Sequence, residues 1–115
     1  MEQNTNTIGS SSRLRALNDA FRSSGIGVMT VVTPGIAALP NELARKVYEA
    51  VASFADFNPD NDPWSEHDCA VLKVDEHSII WKIDYYDRQR RYLSPDPADP
   101  KVTVRVLTIM LSEEY

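Results

Sequence analysis

Apolar positions along the chain change their spacing several times, and each change marks a predicted element. Leu14, Leu17 and Phe21 recur at helical spacing with Arg13, Arg15, Asp19 and Arg22 on the other faces, while Ser11 or Ser12 can cap the start and Gly25 ends the run. Ahead of this helix, residues 1–12 are rich in Asn, Thr and Ser, and predict a mobile tail. Val28, Met29, Val31 and Val32, with Thr30 and Thr33, form a β-branched run closed by Pro34 and Gly35, which predicts a buried strand. Leu39, Leu43, Val47, Val51 and Phe54 fall at intervals of four, four, four and three, predicting a second helix from about Pro40 to Phe54. Asp56 to Asp68 has Asn-Pro and Asp-Pro steps and no period, so it reads as an irregular loop. Ala70–Val74 and His77–Tyr86 are extended runs about a turn at Asp75 and Glu76, an antiparallel hairpin whose core face carries Ile79, Trp81, Ile83 and Tyr85. Asp99 followed by Pro100 has the form of a helix start, and Val102, Val106, Ile109 and Met110, widened by Leu107 and Leu111, predict a last, deeply packed helix. The order α-β-α-β-β-α over residues 13–115 predicts one α+β domain: a small, mainly antiparallel sheet of about three strands with helices on one face.

Composition narrows the class further. A chain of 115 residues with 43% hydrophobic and 25% charged residues has room for one core and no excess of Gly or Pro. One cysteine excludes an internal disulfide and a four-thiolate zinc site, and points to a reducing, cytoplasmic setting. No signal-peptide pattern and no long apolar run is present, so neither secretion nor membrane insertion is expected. The net charge of −5 is concentrated: residues 56–76 hold seven acids and one base. From Val47 to Leu72 there is no Lys or Arg, while Glu49, Asp56, Asp60, Asp62, Glu66 and Asp68 accumulate. Such a surface repels phosphate backbones and attracts a basic protein face. Direct nucleic-acid binding is therefore disfavoured, and the one basic cluster, Arg88, Arg90 and Arg91 beside Tyr92, reads as an exposed loop.

The densest group of reactive side chains is Asn58–Cys69. Asp56, Asn58, Asp60 and Asp62 sit at positions one, three, five and seven of a calcium loop, yet Asn61 replaces the required Gly, Pro59 and Pro63 intrude, and His67 occupies position twelve. A divalent site of another geometry, built from Glu66, His67 and Asp68 with Asp84 or Asp87, would support a metal-assisted hydrolase. The simpler expectation is a stiff loop whose Asp and Asn side chains cap its own turns, with no metal and no cofactor. Cys69 two residues from His67 has the elements of an activated thiol, but no Gly-rich turn supplies an oxyanion site, and a buried structural cysteine is the expected state.

Six blocks carry a family resemblance: RALNDAFR at Arg15–Arg22, TPGIAALP at Thr33–Pro40, NDPWSEHD at Asn61–Asp68, WKIDYYD at Trp81–Asp87, SPDPADP at Ser94–Pro100 and RVLTIML at Arg105–Leu111. Together they resemble domain-of-unknown-function family 3768. The resemblance implies a small bacterial protein, often of plasmids, prophages and other mobile elements, and supplies no activity, cofactor or catalytic residue. In that setting the charge pattern favours a non-enzymatic interaction module that docks its acidic 56–68 loop on a basic protein face, as an inhibitor or modulator of a nucleic-acid-processing or defence complex. Expected contact residues are Asp56, Asp60, Asp62, Trp64, Glu66 and Asp68, with Arg88, Arg90 and Tyr92 on the second loop. The alternatives are the hydrolase above and a homodimer joined at a sheet edge.

Overall fold

A computed structural model describes residues 2–24 and 29–115, with the side chains of 11–24 and 29–115. The elements are α1 (Glu2–Ser23), β1 (Thr30–Val32), α2 (Pro34–Ala37), α3 (Asn41–Ser53), β2 (Cys69–Val74), β3 (His77–Tyr86), β4 (Val104–Leu111) and a closing 3₁₀ turn (Ser112–Glu114). The side chains of residues 1–10, where most of a mobile tail was expected, lie outside the described residues, as do Gly25 and Val28.

The four strands form one mixed sheet in the order β1-β4-β3-β2. The hairpin forms as the alternation requires, in continuous antiparallel register from Cys69↔Lys82 to Val74↔His77. Its expected inner face is the core: Ile79, Trp81 and Ile83 are buried with Ala70 and Val74 of β2, under Ile36, Val47 and Val51. Tyr85 is half-buried at the end of that row. The second helix also holds, since Val47 and Val51 on its apolar stripe are fully buried.

Two expectations are corrected. The last element is a strand: β4 pairs antiparallel with β3 from Ile79↔Leu111 to Tyr86↔Val104, and parallel with β1 at Thr30↔Leu107, Val31↔Thr108 and Val32↔Ile109. Between two neighbours it is flanked along both edges, and its Val, Thr and Ile positions suit that place better than helical spacing does. The turn at Asp96–Asp99 that looked like a helix start is instead held by side-chain oxygens, with Ala98 N donating to Asp96 and Lys101 N to Asp99. The first strand is an edge strand, with Val31 half exposed, because β1 pairs on one side only.

The chain end is tied back to this edge. Glu114 Oε1 accepts from the Thr33 hydroxyl and the Leu111 N–H, and Oε2 from the Gly35 N–H. These bonds, the Thr33 one foremost, hold the Glu114 carboxyl below its usual range. A Cβ at Gly35 would stand 2.6 Å from Glu114 Oε1 and 2.7 Å from Leu111 Cδ1, the ends of two flexible side chains, so a larger residue there would displace the Glu114 carboxylate from this clasp.

Trp81 is the largest fully buried side chain and touches Phe54 and Phe57 edge-on. Trp81→Ala is expected to destabilise the protein by about 3–5 kcal/mol, read as a shift of the urea midpoint; near-wild-type stability would contradict this packing.

Candidate functional site

The acidic loop owes its shape to its own side chains. Asn58 Oδ1 accepts from the Asp60 and Asn61 N–H groups, Asn61 Oδ1 accepts from Asn58 N, and Asn61 Nδ2 donates to Asp56 O. Asp62 Oδ1 then accepts from Glu66 N and His67 N, and Ser65 N donates to Asp62 O. Ser65 and His67 both take φ of 55°, a left-handed conformation that costs a non-glycine residue about 1 kcal/mol or more and persists only where surrounding bonds fix it. The loop is thus a stiff platform.

A buried polar seam holds that platform to the helix-covered face of the sheet. Asn18 of α1 is fully buried; its amide donates to Glu66 O at 2.9 Å and to the Tyr85 hydroxyl at 2.8 Å, and its oxygen accepts from Arg105 Nε at 2.9 Å. One turn on, buried Arg22 donates to Val51 O and Ala52 O and pairs with Asp19, with its guanidinium over the Trp81 ring. Burial lowers the pKa of Arg22, which Asp19 opposes, and burial lowers that of Arg105. His67 is clamped: its ring stacks on Phe57 with centroids 3.8 Å apart, Nδ1 donates to Asp19 at 2.8 Å, and Nε2 lies 3.5 Å from Asp62 Oδ2. Tyr85 is pushed up to about 12, by burial first and then by Asp68 and Glu66.

The expected contact residues separate by role. Asp56 and Asp60 are exposed, and Trp64 between Pro63 and Ser65 is 77% exposed. Asp62 is buried as the cap of the Glu66–His67 turn and is not displayed. Glu66 and Asp68 are half-buried; burial raises both carboxyls, with the nearby carboxylates adding to it. Arg88, Arg90 and Tyr92 are exposed on the loop that leaves β3, where Asp87 caps Arg91 N and its own N–H donates to Tyr92 O. Asp84 pairs with Lys82. Among the described residues no three His, Cys, Asp or Glu side chains are placed to share an ion, so Glu66, His67, Asp68, Asp84 and Asp87 do not assemble the alternative metal set. Cys69 is exposed, not buried as expected, because it opens the edge strand; partial desolvation of the thiol on its inner side, and then the adjacent Asp68 and Asp62, raise its pKa, the opposite of activation.

Sequence reasoning left out Asn18, Arg22, Tyr85 and Arg105 as a connected set. Its trace in the chain is Asn18 beside Leu14 and Leu17 on a helix, and Arg105 in line with Leu107 and Ile109 once that stretch is read as a strand. Among the described residues no helix is long and apolar enough to cross a membrane.

A family model described as "Protein of unknown function (DUF3768)" matches residues 32–114, well over half of the chain. The match contains five of the six blocks that carry the resemblance and begins after Arg15–Arg22. Neither the curated proteins nor the solved structures give a match.

Asn18→Ala is expected to cost about 3 kcal/mol in urea unfolding, because it strands the buried Arg105 and the Glu66 carbonyl together; a loss under 1 kcal/mol would show that the seam is not structural. The Tyr85 proton is held to about pH 12 in the folded chain but is released near pH 10.0 on unfolding, so its contribution is present below pH 10.0 and is lost as pH rises towards 12. The stability difference between pH 9 and pH 11 should be smaller in Tyr85→Phe than in wild type, and equal differences would remove this role from Tyr85.

Proposed function

We propose that this chain, which belongs to the DUF3768 family, is a protein-interaction module that presents a stiff acidic loop with an exposed tryptophan to a basic face of a partner protein. One observation carries this reading: Trp64 stands 77% exposed on a loop whose backbone is fixed by its own Asn and Asp bonds. Tryptophan is among the residues that dominate interface energies, and a loop already held in its bound form loses little entropy on docking. Asp56 and Asp60, exposed earlier on the same loop, supply the charge that steers a basic partner. The Arg88–Tyr92 loop leaves the end of β3, beside which Asp68 pairs with Ile83, so both loops project from the same end of the sheet. A partner spanning both would meet Trp64 and Tyr92. In the mobile-element setting that the resemblance implies, a nucleic-acid-processing or defence complex is the partner class this surface fits, since its phosphate-binding grooves are basic.

Affinity capture from a bacterial host with mass spectrometry tests the reading through matched variants. Trp64→Ala should abolish capture of the partner, and Asp56→Asn with Asp60→Asn should weaken it, with unfolding midpoints within about 0.5 kcal/mol of wild type for these surface changes. Capture should also fall with salt, as the screening length shortens from about 10 Å at 0.1 M to about 3 Å at 1 M. Asp62→Asn differs in kind: it should lower stability by about 1 kcal/mol through loss of the turn cap. If Trp64→Ala retains the same partner at wild-type yield, the loop is a connection only and the proposal fails.

A further inference from the structure

We infer that the free edge of β2 is a strand-addition site that takes an extended basic segment of the partner protein. The inference rests on the reading of an acidic interaction module and says where the partner's main chain lies. β2 is the outermost strand of the sheet, bonded to β3 on one side only. The phase of its hydrogen bonds follows from one contact: Ile83 N donates to Asp68 O at 2.7 Å. In an antiparallel ladder bonded and non-bonded pairs alternate, so with 68/83 bonded the pairs 70/81, 72/79 and 74/77 bond as well. The N–H and C=O groups of Cys69, Val71 and Lys73 therefore point away from β3, along an edge that no strand among the described residues covers.

Edges of this kind are usually blocked by proline, a bulge or several charges. β2 has no proline, keeps an unbroken register over six residues, and carries one charge, Lys73. Its open-face residues Cys69, Val71 and Lys73 are all exposed, Val71 at 61%. The other edge, β1, offers only three residues and runs at once into Thr33-Pro34. Beside β2 a recess of about 410 Å³ lies between Val71, Ile80, Cys69, Lys82, Asn61 and Tyr115. Its walls are mainly side chains of the sheet face that the helices leave open, and they suit an apolar side chain of an added strand, whose alternate residues share that face.

Charge selects the occupant. Asp68 precedes β2, Asp75 and Glu76 follow it, and Asp60 stands on the adjoining loop, four acids around an edge whose own charge is the single Lys73; Lys46 reaches Asp75, and Lys82 is paired with Asp84. A segment carrying Lys or Arg between its apolar residues completes this edge. A second copy, paired antiparallel, would set Asp68 of one chain against Asp75 and Glu76 of the other, a like-charge contact.

The test uses the peptide Lys-Val-Lys-Val-Lys-Val-Lys-Val and its acidic counterpart Glu-Val-Glu-Val-Glu-Val-Glu-Val against the full chain, followed by hydrogen exchange of backbone amides. At saturation the basic peptide should slow exchange at Val71 and at its outward neighbours Cys69 and Lys73 roughly tenfold or more, and the acidic peptide should leave these amides unchanged. Val71→Pro removes an outward N–H that β3 does not use, so the fold should survive while peptide affinity falls roughly tenfold. Val71→Lys, which keeps the backbone donors but adds positive charge at the centre of the site, should weaken the basic peptide by a similar factor and serves if the proline variant does not fold. Protection elsewhere, equal binding of the acidic peptide, full affinity in a folded Val71→Pro variant, or a concentration-dependent dimer protecting the same amides without peptide would each overturn the inference. Partner capture that depends on Trp64 but is unaffected by Val71→Pro would remove the strand site and leave the loop reading standing; loss through Val71→Pro with none through Trp64→Ala would do the reverse.

Discussion

One buried amide fixes the end of the molecule that carries its exposed chemistry. Asn18 bonds at once to the acidic loop through Glu66 O, to β3 through Tyr85 and to β4 through Arg105, so α1, the loop and two strands meet at a single side chain. A buried amide in such a place is costly unless every partner is in position, and therefore it tolerates one arrangement of the loop relative to the sheet. Arg22 repeats the device one turn later, bridging α1 to the end of α3. The loop cannot slide without leaving buried charges and carbonyls unpaired.

The acidic segment is consequently two structures in one. Its inner members, Asp62, Glu66 and His67, are used up in holding the loop: Asp62 caps a turn, Glu66 lends its carbonyl to Asn18, and His67 is wedged between Phe57 and Asp19. Its outer members, Asp56, Asp60 and Trp64, join the loop's bonds through their main chain at most and keep their side chains exposed to solvent. Left-handed residues at Ser65 and His67 turn the chain sharply on either side of Glu66, which lets the carbonyl reach inward while Trp64 remains outside. The tryptophan stands exposed midway between two anchored residues, Asp62 and Glu66.

The sheet has an equally uneven surface. Helices cover the face that carries Trp81 and Ile109, while the opposite face of β2 and β3 keeps Val71 exposed and Ile80 half-buried. β4 is enclosed between β1 and β3, and the two edges differ in length, three residues against six. The longer edge begins at Cys69, directly after the acidic loop, so charge and unpaired backbone adjoin.

Several features were legible in the sequence because they depend on neighbours along the chain. The β2–β3 hairpin, its buried Ile79-Trp81-Ile83 face, the stripe of α3 and the self-capping of Asn58 and Asn61 rest on alternation, helical spacing or bonds spanning at most five residues. The nature of β4 was not: Val102 to Leu111 is apolar enough to satisfy a period of two and a period near four together, and only β1 and β3 on either side select the strand. The same holds for the difference between Asp60 and Asp62, two residues apart and alike in chemistry, one exposed and the other buried by contacts with His67 and Glu66. The seam is the clearest instance. Asn18 lies 48, 67 and 87 residues from the groups it joins, and at that separation no local pattern encodes the pairing. What packing along the chain determined was which segments fold and which face each buries; what the tertiary structure decided was which polar groups are desolvated together, because a buried hydrogen bond is specified by both partners at once and one of them is always remote.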